Sequence, residues 1–309
     1  CLSQVYHETV RGIPAGYAKF ETFPIWNLPL KHPVNLAYEA ATADLADLNM
    51  IDPFHLEAYG KTTVNYNRDV EAFPIVRTIL SRIADNGVCP YKSPTDMGVN
   101  MVGYAICDEK AVCEASGQEI IRRYYKALCE HRQGKGGQEV VDKIRVIMQQ
   151  LNLKPTDRSA VTPALAKSQS SGMPAGAIEL PDGRIYTGKA SNLMSASSAT
   201  VLNAIKALSG IADDLTLISP VVLEPIIKLK IDVLNSRSTL LKLDDVLTAL
   251  AMSAATNPVA ARAMGALTQL RDCEMHSTQM LHSGDEGTLR RLGLRLTCEP
   301  VYPGKDLFF

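Results

Sequence analysis

The chain has 309 residues, of which 46% are hydrophobic and 21% are charged, a composition typical of globular domains. Lysine and arginine total 32 and aspartate and glutamate total 33. This balance argues against a nucleic-acid-binding protein, which usually carries a basic surface. Pro, Lys or Asp interrupts every apolar run before it reaches the length of a membrane span. We therefore expect a soluble, cytoplasmic protein with two or three domains.

Seven cysteines are spread along the chain without a regular spacing. Their odd number does not suit a disulfide framework, and the absence of a C-x-x-C pair removes the usual zinc-ribbon and thioredoxin-like motifs. Cys273 and His276 form a single C-x-x-H, which supplies only two of the four ligands of a structural zinc site. We expect buried, reduced cysteines and no metal site, zinc included.

The first half of the chain is predicted to be mainly helical after a mixed beginning. Residues 2–6 and 33–48 have helical spacing of apolar residues, and a proline opens the second of these segments. Helical periodicity dominates from about residue 68 to residue 155, with apolar stripes at 120–128 and 140–151. The glycine-rich stretch between the two stripes predicts a flexible connection.

The composition changes at residues 152–176, where Ser, Pro, Gly and Ala without a sustained period predict a linker or a long surface loop. Two short strands around Pro181-Asp182-Gly183 then predict a hairpin, because Asp and Gly tolerate the turn dihedrals. A helix follows, with Ser195 or Ser197 as its cap and Gly210 as its end. The remaining pattern predicts a strand at 215–219, a helix at 223–234, a helix at 244–270 interrupted near Asn257-Pro258, a strand at 274–280, a helix at 285–293 and a strand at 294–300. We expect a mixed α/β fold, with a helix-rich middle region followed by a layered α/β domain.

The common phosphate-binding and hydrolase motifs are absent from the chain. Gly60-Lys61-Thr62 matches the end of a P-loop, but His55 stands where the first glycine belongs. Neither a G-x-G-x-x-G, an H-E-x-x-H nor a G-x-S-x-G motif occurs. Scattered residues could still assemble a Ser–His–Asp site in three dimensions, which the sequence alone does not show.

Two polar stretches, 49–73 and 91–100, interleave acids, bases and amides with aromatic residues. Such a mixture is typical of a pocket for an anionic substrate, and the alternative is a loop-rich surface with capping Asp and Asn residues. In the first interpretation His55 acts as acid or base, Arg68 and Lys92 contact the anion, and Asp69 and Asp96 orient the substrate or hold Mg²⁺. The candidate residues are His55, Asp69 and Asp96 for catalysis, and Lys61, Asn65, Arg68, Lys92 and Ser93 for substrate binding.

Several long segments, taken together and in order, resemble one bacterial family. They lie at 17–45, 49–61, 64–74, 91–100, 118–130, 177–206 and 253–264. The family is called domain of unknown function 1846, or uncharacterised protein family 0371, and the resemblance covers essentially the whole chain.

The resemblance implies a longer protein with an N-terminal α/β domain that ends in a Gly-rich, P-loop-like turn. Cys1 would then lie on the helix after that turn, and the chain would be a C-terminal portion that lacks the N-terminal domain. On this basis 1–75 is expected to be the remnant of a nucleotide-binding-like domain, 76–155 a helical domain and 156–309 an α/β domain. The resemblance also implies ATP or another phosphorylated ligand, possible Mg²⁺ and hydrolase activity in the full-length protein.

The order of hairpin, helix and strand in the last domain resembles that of cytidine-deaminase-like folds. Those enzymes carry zinc ligands and a Glu at the helix start, where this chain has SASSATVLNAIK, so zinc-dependent deamination is not implied. Two functions remain. The first is an enzyme that depends on ATP or another phosphorylated ligand and acts on a small molecule. The second is a non-catalytic small-molecule-binding or oligomerisation protein. We expect a small-molecule ligand and a homo-oligomer, and neither nucleic acid nor membrane as a partner.

Overall fold

The computed structural model describes residues 2–19, 23–236 and 238–304. The chain forms two compact units, of which the first comprises Cys1–Tyr124 and Gln138–Leu153, and the second Tyr125–Gly137 and Lys154–Phe309. Cys1, which the family resemblance would place on a helix after a P-loop-like turn, lies outside the described residues. None of the described helices is both long and apolar enough to cross a bilayer.

Helices provide most of the regular structure. A 3₁₀ turn at Pro94–Met97 and a π-helical turn at Leu229–Val233 supplement them. In chain order the elements are α1 (Leu2–Val10), α2 (Pro33–Ala41), β1 (Asn49–Ile51), α3 (Pro53–Tyr59), β2 (Val64–Tyr66), α4 (Asn67–Ile83), α5 (Glu109–Arg132), α6 (Gln138–Gln150), α7 (Val161–Ser171), β3 (Ala175–Glu179), β4 (Ile185–Lys189), α8 (Ala196–Leu208), α9 (Pro220–Lys228), α10 (Leu243–Ala254), α11 (Pro258–Gly265), β5 (Glu274–Ser277), α12 (Ser283–Arg291) and β6 (Arg295–Cys298).

The first unit is helical apart from one small antiparallel sheet. β1 pairs with β2, with Met50 opposite Asn65, and each strand leads directly into a helix, α3 after β1 and α4 after β2. An apolar cluster of Val5, Phe73 and Met97 packs α1 and α4 against the Pro94–Met97 turn. This arrangement brings the start of α3 close to that turn.

The second unit has a four-stranded sheet in the order β4-β3-β5-β6. β3 is antiparallel to both neighbours, and β5 runs parallel to β6, with α12 as the connection between them. Ala177 on one face of β3 packs with Ala164 of α7, while Ile178 on the other face belongs to the core formed with α8, α10 and α11. Since successive side chains of a strand point to opposite faces, helices cover the sheet on both sides.

Two glycines allow α8 to approach the sheet closely. A Cβ atom at Gly188 of β4 would lie 2.3 Å from the backbone nitrogen of Thr200, and one at Gly176 of β3 would lie 2.9 Å from Thr200 Oγ1. Backbone atoms of a helix cannot move aside as a flexible side chain can. The contact between α8 and the hairpin therefore requires glycine at position 188.

The mixed α/β class is confirmed, as are the hairpin at 175–189, the cap at Ser195 and the break at Asn257-Pro258. The strand predicted at 215–219 is wrong, because this segment is a loop whose Leu217 and Ile218 are buried without strand pairing.

The segment predicted to be a linker, 152–176, instead contains α7, which packs its alanines on the sheet. A cytidine-deaminase-like order is not confirmed. The three-part division of the chain stays a prediction.

Candidate functional site

Asp52 fixes the start of α3 and ties it to a distant turn. One carboxylate oxygen accepts hydrogen bonds from the backbone N–H groups of Phe54 and His55, at 3.0 and 3.1 Å. The other accepts from the Thr95 hydroxyl, at 2.6 Å, and from the Thr95 N–H group, at 3.3 Å. Asp52 is fully buried, so a single carboxylate caps the helix and sets the distance between α3 and the Pro94–Met97 turn.

The Pro94–Met97 turn is held by a reciprocal capping box. Ser93 Oγ accepts from the Asp96 N–H group, at 3.3 Å, and the Asp96 carboxylate accepts from the Ser93 N–H group, at 3.1 Å. The same Asp96 oxygen also accepts from the Lys92 N–H group, at 2.8 Å. These bonds join residues three or four positions apart in the sequence, and they fix the orientation of the Ser93 and Asp96 side chains.

His55 lies between these two elements and is almost fully buried. Its Nδ1 atom is 3.0 Å from Ser93 Oγ and 3.8 Å from Asp96 Oδ1. The ring packs against Tyr59 at 4.6 Å between centroids, and the Tyr59 hydroxyl donates to Asp96 at 3.0 Å. Burial and then the bond to the Asp96 carboxylate raise the pKa of Tyr59 above its ordinary value.

This group is not a nucleophilic triad. In a triad the serine and the carboxylate contact opposite nitrogens of the imidazole, whereas here both lie on the Nδ1 side. Ser93 is fully buried and serves as a cap. If the Ser93 hydroxyl donates to Nδ1, the Nε2 atom carries the ring proton and is arranged as a hydrogen-bond donor.

An open cleft of about 550 Å³ lies beside this group, between α3, α4 and residues 87–92. Lys92 connects the cleft to the group around His55. It lines the cleft, and its ammonium lies 5.5 Å from the centroid of the Tyr59 ring. Arg77 contributes a second positive charge and Glu57 a negative one. The lining residues are Phe54, Glu57, Ala58, Arg77, Ser81, Gly87, Val88, Cys89, Tyr91 and Lys92.

The structure brings together His55, Ser93 and Asp96, with Lys92 next to them. The other candidates have different surroundings. Arg68 forms an ion pair with Asp47, and Asp69 forms one with Lys19. Asn65 is buried and its side-chain oxygen accepts from the Tyr66 N–H group at 2.9 Å, while Lys61 is exposed. Their proposed roles in catalysis and binding stay predictions.

Sequence reasoning did not find Arg77 and Ser81, which line the cleft from α4. These residues are four apart and share one face of the helix. That spacing is visible in the sequence, but it does not show which neighbouring element the helix face contacts.

One further group in the first unit has the donor types of a metal site. Nitrogen, oxygen and sulfur donors of His32, Glu109 and Cys113 all lie within 4.8 Å of one another. His32 Nδ1 accepts from the Val34 N–H group, at 3.2 Å, and caps α2. Nε2, which lies 2.5 Å from Glu109, then carries the proton. A metal would have to displace this proton and break the cap, so the geometry fits a hydrogen-bonded cap better than a metal centre.

In the second unit, the residues of the C-x-x-H pair have separate partners. His276 is fully buried, its Nδ1 atom is 2.9 Å from Thr297 Oγ1, and the thiol of Cys273 faces the Gln269 carbonyl. The start of α8 carries hydroxyl groups, and Ser195 Oγ donates to Asp285 at 3.0 Å.

Comparison with known proteins identifies the family. The model of "Domain of unknown function DUF1846, N-terminal" matches residues 1–152, and that of "Domain of unknown function DUF1846, C-terminal" matches residues 156–308. The chain belongs to the DUF1846 family. Because the N-terminal model matches, the expectation of a C-terminal portion without the N-terminal domain is not borne out.

The relatives are bacterial proteins named UPF0371. The chain is 52% identical over 317 residues to a UPF0371 protein of Clostridium botulinum (strain Eklund 17B / Type B), covering 100% of the chain and 63% of that relative. It is 51% identical over 317 residues to one of Clostridioides difficile (strain 630), covering 100% and 63%. It is 54% identical over 308 residues to one of Streptococcus thermophilus (strain CNRZ 1066), covering 100% and 62%. The chain thus spans less than two thirds of the length of these relatives.

Proposed function

We propose that the first unit binds a small phosphorylated molecule in the cleft between α3 and α4, and that the longer protein acts on this molecule as an enzyme. The observation that carries the proposal is the pair of cations in the cleft. Arg77 stacks on Phe73 at 5.8 Å and Lys92 on Tyr59 at 5.5 Å. Neither cation has an ion pair among the residues that the structure describes.

The chemistry of the cleft suits a phosphate ester. A guanidinium and an ammonium are the side chains that most often recognise phosphate oxygens. Phe54, Val88 and Tyr91 give the cleft an apolar wall for the organic part of the ligand. A volume of about 550 Å³ falls within the range of small-molecule sites. ATP and other phosphorylated metabolites are the candidates.

His55 is the group we propose for proton transfer. It does not line the cleft itself, but Tyr59 connects it to Lys92, which does. Asp96 accepts hydrogen bonds from Tyr59 and from two backbone N–H groups. These bonds support an orienting role for Asp96 rather than the binding of Mg²⁺. The alternative function is binding of the same ligand without its conversion. We also propose that the protein is a homo-oligomer.

For the second unit we propose a deaminase-like order of elements without the zinc chemistry. The hairpin β3–β4 followed by α8 supports this order, and the loop at 215–219 in place of a strand counts against it. Ser195 and Asp285 meet where two helices begin. Hydroxyl groups stand at the start of α8 where the deaminases have metal ligands.

A ligand screen on the full-length protein tests the binding proposal. Phosphorylated metabolites and inorganic phosphate are assayed by thermal shift, since a ligand that binds the folded state raises Tm. Lys92→Ala and Arg77→Ala should each weaken the apparent affinity by tenfold or more. The affinity is obtained from the dependence of the Tm shift on ligand concentration. Lys31→Ala and Arg82→Ala serve as matched controls, because both side chains are exposed and outside the cleft. Equal losses in the controls would refute the cleft as the site.

A product assay with the same ligands separates the two functions. His55→Gln should retain the ligand-induced shift and lose turnover if His55 transfers a proton. Binding without any product in the wild type would favour the non-catalytic alternative.

A further inference from the structure

Two thiols of the second unit lie in direct contact although they are far apart in sequence. Cys129, near the end of α5, and Cys298, at the end of β6, have their Sγ atoms 3.6 Å apart. Cys129 Sγ also lies 3.4 Å from the Cys298 carbonyl oxygen. Both residues are partly exposed.

Neighbouring contacts hold the two cysteines in place. One turn before Cys129, the Tyr125 ring packs on His276 of β5 at 5.0 Å between centroids. On the other side of Cys129, the Tyr302 hydroxyl donates to the Arg132 carbonyl at 2.8 Å. The sulfur atoms therefore meet because two flanking contacts fix the end of α5 beside β6, and a bond between them requires only a small further approach.

We infer that Cys129 and Cys298 form a dithiol site that hydroperoxides oxidise to an intramolecular disulfide. Neither the family description nor the proposed phosphate cleft assigns this role. The site lies in the second unit, so the inference does not depend on the proposed function.

The two thiols have different parts in the reaction. The contact between the two sulfur atoms, in which either can donate, lowers the pKa of Cys298 and, together with burial, raises the pKa of Cys129. Burial, and after it the carboxylates of Glu286 and Glu299, raise the pKa of Cys298 but do not outweigh that contact. The Cys129 thiol donates to the Cys298 carbonyl oxygen at 3.4 Å, and this bond holds its proton on Cys129. Cys298 is therefore the thiolate that attacks, and Cys129 is the thiol that resolves the product.

The chemistry balances with the hydroperoxide as the oxidant. The Cys298 thiolate attacks one peroxide oxygen, the O–O bond breaks, and the sulfur becomes a sulfenic acid while an alcohol leaves after taking a proton from water. Cys129 sulfur then attacks the sulfenyl sulfur, the S–S bond forms, and the hydroxyl leaves with the Cys129 proton as water. Both sulfurs are oxidised and the peroxide is reduced.

Two of the other described cysteines provide controls. The thiol of Cys273 is buried and faces a backbone carbonyl, whereas Cys113 faces Glu109 at 3.6 Å. Neither arrangement presents a second sulfur atom for a bond.

Peptide mapping of the wild-type chain tests the inference without any substitution. The folded protein is treated with hydrogen peroxide, free thiols are alkylated, and the protein is digested with trypsin without reduction. We expect one dominant cross-link between the peptides 127–132 and 296–305. The folded, oxidised protein should also have a higher Tm than the reduced protein. The proposal would be overturned if hydrogen peroxide oxidised Cys298 without forming this cross-link, or if Cys298 were linked mainly to other cysteines.

Trapping of the sulfenic acid tests the order of the steps. In Cys129→Ser, dimedone should label Cys298 several-fold more than in the wild type, because no thiol resolves the intermediate. In Cys298→Ser, Cys129 should remain unlabelled, and Cys273→Ser should behave as the wild type. Labelling of Cys129 in Cys298→Ser would show that the assignment of the two thiols is reversed.

Discussion

Replacement of Asp52 by alanine should destabilise the first unit far more than the loss of an ordinary helix cap. The buried carboxylate accepts four hydrogen bonds, two from the start of α3 and two from Thr95. Loss of an N-cap costs about 1 kcal/mol. Hydrogen bonds to a charged group contribute about 1.5–3 kcal/mol. We therefore expect Asp52→Ala to lower the free energy of unfolding by about 3–4 kcal/mol.

Two other variants separate capping from the tertiary link. Asp108 caps the start of α5 with one bond to the Ala111 N–H group, at 3.0 Å, and is exposed. Asp108→Ala should therefore cost about 1 kcal/mol. Asp52→Asn keeps a side-chain oxygen for the cap but loses the charge, so its cost should fall between those of the two alanine variants.

The assay is urea denaturation followed by the fluorescence of Trp26. This is the only tryptophan of the chain, and it belongs to the first unit, as do both aspartates. Its signal therefore reports the unit that the substitutions perturb. If Asp52→Ala loses no more stability than Asp108→Ala, the link between α3 and the Pro94–Met97 turn does not have the energetic role that its geometry indicates.

Two further predictions concern the second unit. Gly188→Ala should destabilise it by several kcal/mol or prevent folding, because the new Cβ atom meets the α8 backbone, whereas Gly265→Ala, with no atom within 4 Å, should be neutral or stabilise by about 0.5 kcal/mol. Thermal melts of the two variants make the comparison. Burial and then Lys242 lower the pKa of His282, although Asp285 opposes them. Neutral His282 therefore supports stability above the unfolded pKa of 6.5, and this stability is lost as the pH falls below that value. His282→Gln should flatten this acid limb in denaturation curves from pH 7 to pH 5, and an unchanged curve would contradict the argument.

Short-range signals allowed much of the fold to be predicted. The hairpin turn at Pro181-Asp182-Gly183 depends on residues within a few positions of one another, and Gly183 has the positive φ of 79° that favours glycine. The cap at Ser195 and the break at Asn257-Pro258 are equally local. The strand predicted at 215–219 was wrong because an apolar run shows burial but does not show strand pairing.

For the candidate site, the sequence by itself determined the residue types and the local caps. Asp52 is followed by Pro53 at the start of a helix, and Ser93 and Asp96 have the spacing of a capping box. From the sequence, however, capping Asp and Asn residues in a loop-rich surface were only the alternative to a binding pocket.

Only the tertiary structure decided which of these residues meet. His55 contacts Ser93 across 38 positions, and Asp69 pairs with Lys19 across 50. Cys129 contacts Cys298 across 169. A charged or nucleophilic side chain offers the same chemistry wherever it stands in the sequence, and its partner is set by the packing of distant elements. That packing placed Asp69 beside Lys19 and placed Asp96 3.8 Å from the His55 ring.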